Sequence, residues 1–157
     1  MSKISPFLWF DGQAEEAVNF YVSVFKGAKP GPTSRYGDAG PGPKGQVMVA
    51  SFELDGIAFN CLNGGPQFKF TEAISFQVNC KDQAEVDDLW GKLTADGGEP
   101  GPCGWLKDKF GVSWQIVPEA LPRLIGDPDP AKAKRATEAM LNMGKLDIAA
   151  LEAAAAG

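Results

Sequence analysis

The chain has 157 residues, 44% of them apolar, enough to bury one core or two small half-cores. Fifteen Lys and Arg against twenty Asp and Glu leave a net charge of −5 with no basic block, which excludes the electrostatic footprint of a nucleic-acid binder. The start, MSKISPFLWFDG, is too short and polar for a signal peptide, and no run of about 18 apolar residues follows, so a cytoplasmic chain with no membrane partner is expected.

The first elements read as a strand within "ISPFLWF" from Ile4, then a helix with Asp11 as its cap. Ala14, Ala17, Val18, Tyr21, Val24 and Phe25 form its apolar stripe at helical spacing. A β-prone stretch from Pro30 to Tyr36 follows. The Gly/Pro loop "GDAGPGPKG" then leads to an apolar run from Val47 to Leu54 and a further strand in "DGIAFNC".

The same order then recurs. "ISFQVNCKDQAEVDDLW" from Ile74 aligns without a gap on "ISPFLWFDGQAEEAVNFY" from Ile4, pairing Ile4 with Ile74, Ser5 with Ser75 and Glu15 with Glu85. Asp82 is the second helix cap, and Val86, Leu89, Trp90 and Leu93 are the second stripe. Gly97 to Gly101, "CGWLKD" and "FGVSWQI" complete the copy, with Gln115 falling on the position of Asn60.

Two β-α-β-β-β modules, residues 3–63 and 73–118, are therefore expected in an α+β fold. Each module buries its helix and one sheet face poorly alone, so pairing into one curved eight-stranded mixed sheet with a cleft, in a single domain spanning 1–157, is the economical arrangement. Residues 119–157 read as a helical tail: a short helix in "EALPRLIG", a helix opened by Pro130 and stopped by Gly144, and a last turn in "LDIAALEAAAA". Its Ala/Met face needs a surface to cover, either its own sheet and helices or a partner's.

"PFLWFDGQAEEAVNFYVSVF", "FELDGIAFNCLNGGP" and "CGWLKDKFGVSWQIVPEALP" together resemble the PhnB-like branch of the vicinal oxygen chelate superfamily. That superfamily also holds glyoxalases, extradiol dioxygenases and bleomycin-resistance proteins. The resemblance runs from Lys3 to about Leu151 and implies the glyoxalase/bleomycin resistance-like fold and a homodimer. The branch often carries the label 3-demethylubiquinone-9 3-methyltransferase.

The superfamily's metal is held by four His or Glu side chains, and the resemblance places those positions at Ser5, Asn60, Ser75 and Gln115. Hydroxyls and amides are weak ligands for zinc or nickel, and the chain contains no histidine, so no metal and no cofactor are expected. A common S-adenosylmethionine methyltransferase needs a Gly-rich strand-to-helix turn in a parallel sheet, whereas "NGGP" at Asn63 follows the last strand of a module. The expected function is the binding of a small organic molecule at Ser5, Asn60, Ser75, Gln77, Cys103, Trp105 and Gln115. The alternatives are lyase- or dioxygenase-type chemistry, the methyl transfer of the label, or thiol chemistry at Cys103.

Cys61, Cys80 and Cys103 are too widely spaced for a CxxC site and suit reduced thiols. A nucleophilic Cys103 wants a cationic neighbour, and Lys107, Lys109 and Arg123 are the candidates. The competing reading makes Cys103 a small buried hydrophobe beside Trp105. Likewise, the polar row competes with hydrogen-bonded residues that only join strands, while Trp9, Trp90 and Trp114 are assigned to the core.

Overall fold

The structure, a computed structural model, describes residues 2–157 and divides between Phe70 and Thr71 into two compact units. The first unit contains β1 (Phe7–Phe10), α1 (Ala14–Val24), β2 (Lys29–Arg35), β3 (Val47–Leu54) and β4 (Ile57–Asn63). Its strands form a mixed sheet in the order β1-β4-β3-β2, with β1 and β4 parallel. The second unit contains β5 (Phe76–Cys80), α2 (Gln83–Thr94), β6 (Glu99–Pro100), β7 (Trp105–Lys107) and β8 (Ser113–Pro118), in the equivalent order β5-β8-β7-β6. Hydrogen bonding thus distributes the eight expected strands into two sheets of four.

Register shows the duplication more finely than sequence identity does. Phe7 pairs with Asn60 as Gln77 pairs with Gln115. Across the antiparallel neighbours, Pro30, Phe52 and Phe59 form one row, and Pro100, Leu106 and Trp114 form its counterpart.

The helix stripes pack as their spacing requires. Ala14, Ala17, Val18, Tyr21, Val24 and Phe25 are all buried, with Tyr21 set against Phe52 at a ring separation of 5.4 Å. Each large side chain so covered contributes about 1.5–3 kcal/mol. Val86, Leu89 and Leu93 are buried on α2, while Trp90 is only half-covered. Between β3 and β4, Asp55 and Gly56 both take left-handed φ values, 51° and 77°, the geometry of a two-residue hairpin turn whose twist matches the strands.

The two helix caps differ. Asp82 accepts from Glu85 N at 2.9 Å, as expected. Asp11 does not cap α1: Gln13 occupies the cap position without a side-chain bond, and Asn63 at the end of β4 accepts from Ala14 N at 2.9 Å. Asn63 also donates to Val47 O at 3.0 Å, and its carbonyl accepts from the Tyr36 hydroxyl at 2.6 Å. A strand end brought close by tertiary folding therefore replaces the local cap.

The tail folds onto its own unit as α3 (Ala120–Ile125), α4 (Pro130–Leu141) and α5 (Ile148–Ala156). Leu121, Leu124, Ala136, Leu146, Leu151 and Ala155 cluster with Val117 of β8. Gly144 is not the stop of α4, which ends at Leu141 with Asn142 as its cap. Instead the Gly144 carbonyl accepts from Gly104 N at 2.9 Å, and the Met143 carbonyl accepts from Cys103 N at 2.8 Å. Among the described residues no helix is long and apolar enough to cross a membrane.

Candidate functional site

Strand pleating decides which side chains of the second sheet share a face. Trp105 pairs with Gln115 and Gln115 with Gln77, while Lys107 pairs with Ser113 and with Glu99. These residues lie on one face. Phe76, Leu106, Trp114 and Ile116 alternate onto the other, and Leu106, Trp114 and Ile116 are fully buried there.

On the polar face lies a cavity of about 580 Å³ whose wall includes Cys103, Trp105, Lys107, Ser113, Glu72 and Glu99. Ser113 is only 2% exposed, and its hydroxyl has no hydrogen-bond partner among the described residues. A buried hydroxyl without a partner costs about 1–3 kcal/mol, so a hydrogen-bonding group brought to Ser113 would be stabilising.

Lys107 Nζ bonds the Glu72 carboxylate at the cavity wall. That hydrogen bond, helped by the opposite charge, holds the Glu72 carboxyl below the usual range and the Lys107 ammonium above its own. Both groups are solvent-exposed, so the pair organises the wall more than it stabilises the fold.

Cys103 and Gly104 both take left-handed φ values, 57° and 85°. A side chain at Gly104 would meet Leu146 Cδ1 at 2.9 Å and Ile116 O at 3.0 Å, so the tail approaches here because residue 104 has none. Cys103 is half-buried rather than enclosed beside Trp105, with its backbone engaged by the tail and the residue on the cavity wall. The cationic neighbours have other engagements: Lys107 with Glu72, Arg123 with Glu152 at 3.4 Å, and Lys109 over the Phe110 ring at 5.5 Å. Cys61 and Cys80 are fully buried, which pushes both thiols up to about 12 and leaves them protonated.

Ser75 and Gln115 do meet: the Gln115 amide donates to Ser75 Oγ at 2.9 Å. Gln77 is exposed and donates to Asn79 Oδ1 at 2.8 Å. The cavity wall includes neither these three nor Ser5 and Asn60, which belong to the first unit. Ser5 is exposed ahead of β1, and Asn60 is half-buried with Phe7 and Ser51 as its register neighbours.

The superfamily's metal does not fit these donors. All four are neutral, and the Gln115 amide is already committed to Ser75. Among the described residues no three His, Cys, Asp or Glu side chains gather into a metal-holding group. The Gly-rich "NGGP" has a structural use instead: a side chain at Gly64 would run into the Trp9 indole, whose Nε1 donates to Gly65 O at 2.9 Å.

Sequence reasoning missed Ser113, Glu72 and Glu99. Ser113 lies two residues before Gln115 in the same strand, so period-two alternation could have placed it on the polar face. Glu72 and Glu99 carried no such signal, because one lies outside the modules and the other in a Gly/Pro segment.

Comparison with known proteins agrees with this architecture. The family model described as 3-demethylubiquinone-9 3-methyltransferase matches residues 2–117. A putative 3-demethylubiquinone-9 3-methyltransferase, PhnB protein, from Bacillus cereus is 40% identical, with a TM-score of 0.66 over 74% of this chain and 99% of that one. Protein PA1353 from Pseudomonas aeruginosa is 22% identical, with a TM-score of 0.63 over 76% of this chain and 98% of that one. The fosfomycin resistance protein FosX from Listeria monocytogenes, solved with Mn(II) and sulfate, is 16% identical; its TM-score is 0.54 over 78% of this chain and 94% of that one. The last two likenesses concern the fold alone. No curated protein matches.

Proposed function

Since the chain belongs to the family described as 3-demethylubiquinone-9 3-methyltransferase, the PhnB-like branch of the vicinal oxygen chelate superfamily, we propose that it uses this fold to bind a small organic molecule in the cavity of its second unit. The observation that carries the reading is Ser113, a residue of the cavity wall whose buried hydroxyl has no hydrogen-bond partner among the described residues. A bound molecule would supply that partner, while the indole of Trp105 and the ring of Pro102 give it apolar surface to cover.

The family description names a methyl transfer that this architecture does not favour. Parallel pairing is confined to β1 with β4 and β5 with β8, so neither sheet is the parallel one on which the common methyltransferases place their cofactor turn. A second reading, thiol chemistry on the bound molecule, is favoured by the position of Cys103 on the same wall.

A thermal-shift screen of small metabolites against wild type and Ser113→Ala tests the proposal. Molecules that raise the wild-type melting temperature are expected to lose much of that effect on Ser113→Ala. Hits of equal strength on both proteins, or no hits at all, would overturn the assignment to this cavity. Ligand-suppressed alkylation of Cys103 would favour the thiol reading.

A further inference from the structure

Resting on the small-molecule reading above, we infer that the cavity of the second unit selects an organic ammonium, a compact amine with an apolar body, over its neutral and anionic counterparts. The inference comes from the charges on the wall. Glu72 and Glu99 contribute two carboxylates and Lys107 one ammonium, so the wall carries a net negative charge. Glu72 contacts Lys107 directly and Glu99 faces the same ammonium across the strand pair, so one positive charge is shared by two carboxylates and one negative charge is left over.

Glu99 is opposite Lys107 in register and Lys107 is opposite Ser113, so these three lie in one cross-strand row, which Glu72 joins through its contact with Lys107. Trp105 flanks that row on β7, and an indole is the side chain that attracts cations most strongly. An ammonium group in the cavity finds an acceptor in the Glu99 carboxylate, and Ser113, on the far side of Lys107 in the same row, offers a second one. An anion would have to displace Glu72 from Lys107 and would still face Glu99. The chain's net charge of −5 adds a weak long-range preference in the same direction.

The test uses three probes that share one skeleton, namely phenylpropylamine, phenylpropanol and phenylpropionate, titrated into the full chain by calorimetry near neutral pH and low salt. The amine is expected to bind at least about tenfold more tightly than the alcohol, and the propionate most weakly. Glu99→Gln should abolish most of the amine's advantage over the alcohol. Glu72→Gln, which leaves Lys107 to Glu99 alone and brings the wall to net zero, should shrink the amine's advantage over the propionate. Ser113→Ala should weaken the amine.

Equal binding of amine and alcohol, or preference for the propionate by the wild type, would overturn the charge inference and leave the small-molecule reading standing. Binding of none of the probes overturns it too; Ser113-dependent hits in the metabolite screen would then show that the cavity reading survives without it. An amine effect indifferent to both Glu99→Gln and Ser113→Ala would place the amine elsewhere and also count against it.

Discussion

Asp108 shows how much one side chain organises. It is 2% exposed, and its carboxylate accepts from Phe110 N at 2.9 Å, Val112 N at 3.1 Å and the Trp114 indole at 2.9 Å. Those three bonds close the turn between β7 and β8 and fix Trp114 beneath the face that carries the cavity. Asp108→Ala removes three hydrogen bonds from a buried site, so a loss of about 3 kcal/mol or more in urea unfolding is expected. The cysteines differ as sharply. With Cys61 and Cys80 buried and pushed up to about 12, iodoacetamide near neutral pH should modify Cys103 alone in the native protein, as read by mass spectrometry. Native labelling at Cys61 or Cys80 would contradict the packing. Glu72 offers a third check: its carboxyl carbon should titrate below the ordinary range by NMR, and Lys107→Gln should bring it back up, because the Lys107 hydrogen bond is the main cause of the shift.

At the scale of elements, both helices are written twice in the sequence yet are held differently. Asp82 caps α2 from within its own segment, whereas α1 depends on Asn63, 49 residues along the chain. Asp82→Ala should therefore cost about 1 kcal/mol. Asn63→Ala should cost more, since it removes the cap of α1 and the bond to Val47 from a residue only 8% exposed. Urea unfolding of the two variants checks the ordering, and equal costs would argue against the cross-chain cap. The tail is as integral as the strands. Leu146 and Leu151 are fully buried, and the Gln83 side chain donates to Leu146 O at 3.0 Å and accepts from Ile148 N at 2.8 Å.

For the whole molecule, the expectation of a homodimer stands as a proposal, since the tail covers its own unit and that leaves the assembly to other surfaces. Ile4, Phe7 and Phe68 are 79%, 59% and 65% exposed, which is the kind of apolar surface that association would cover. Sedimentation at micromolar concentration is expected to show twice the 16.7 kDa chain mass. A monomer there would remove the homodimer. Removing residues 119–157 should lower stability even for a monomer, because Val117 and the polar-face end of β8 lose the cluster that covers them.

What the sequence determined by itself follows from periodicity and duplication. Alternation in the strands, the two apolar stripes and the Ile4–Ile74 repeat each depend only on residues near one another in the chain, so they specify two β-α-β-β-β modules without reference to any contact. The tail helices were legible for the same reason, from Pro130 at one end and alternating Ala, Met and charge along it. Only the tertiary structure decided that Asn63 displaces Asp11 as a cap, that Gly104 and Gly144 join the tail to the sheet, and that Ser113 rather than Gln115 lines the cavity with Glu72. Those outcomes depend on side chains and backbone groups brought together across 40 or more residues: Ser113 and Glu72 are 41 apart, Gly104 and Gly144 are 40, and Asn63 and Ala14 are 49. No local pattern encodes a contact of that range; it exists only once the registers of the sheets are set.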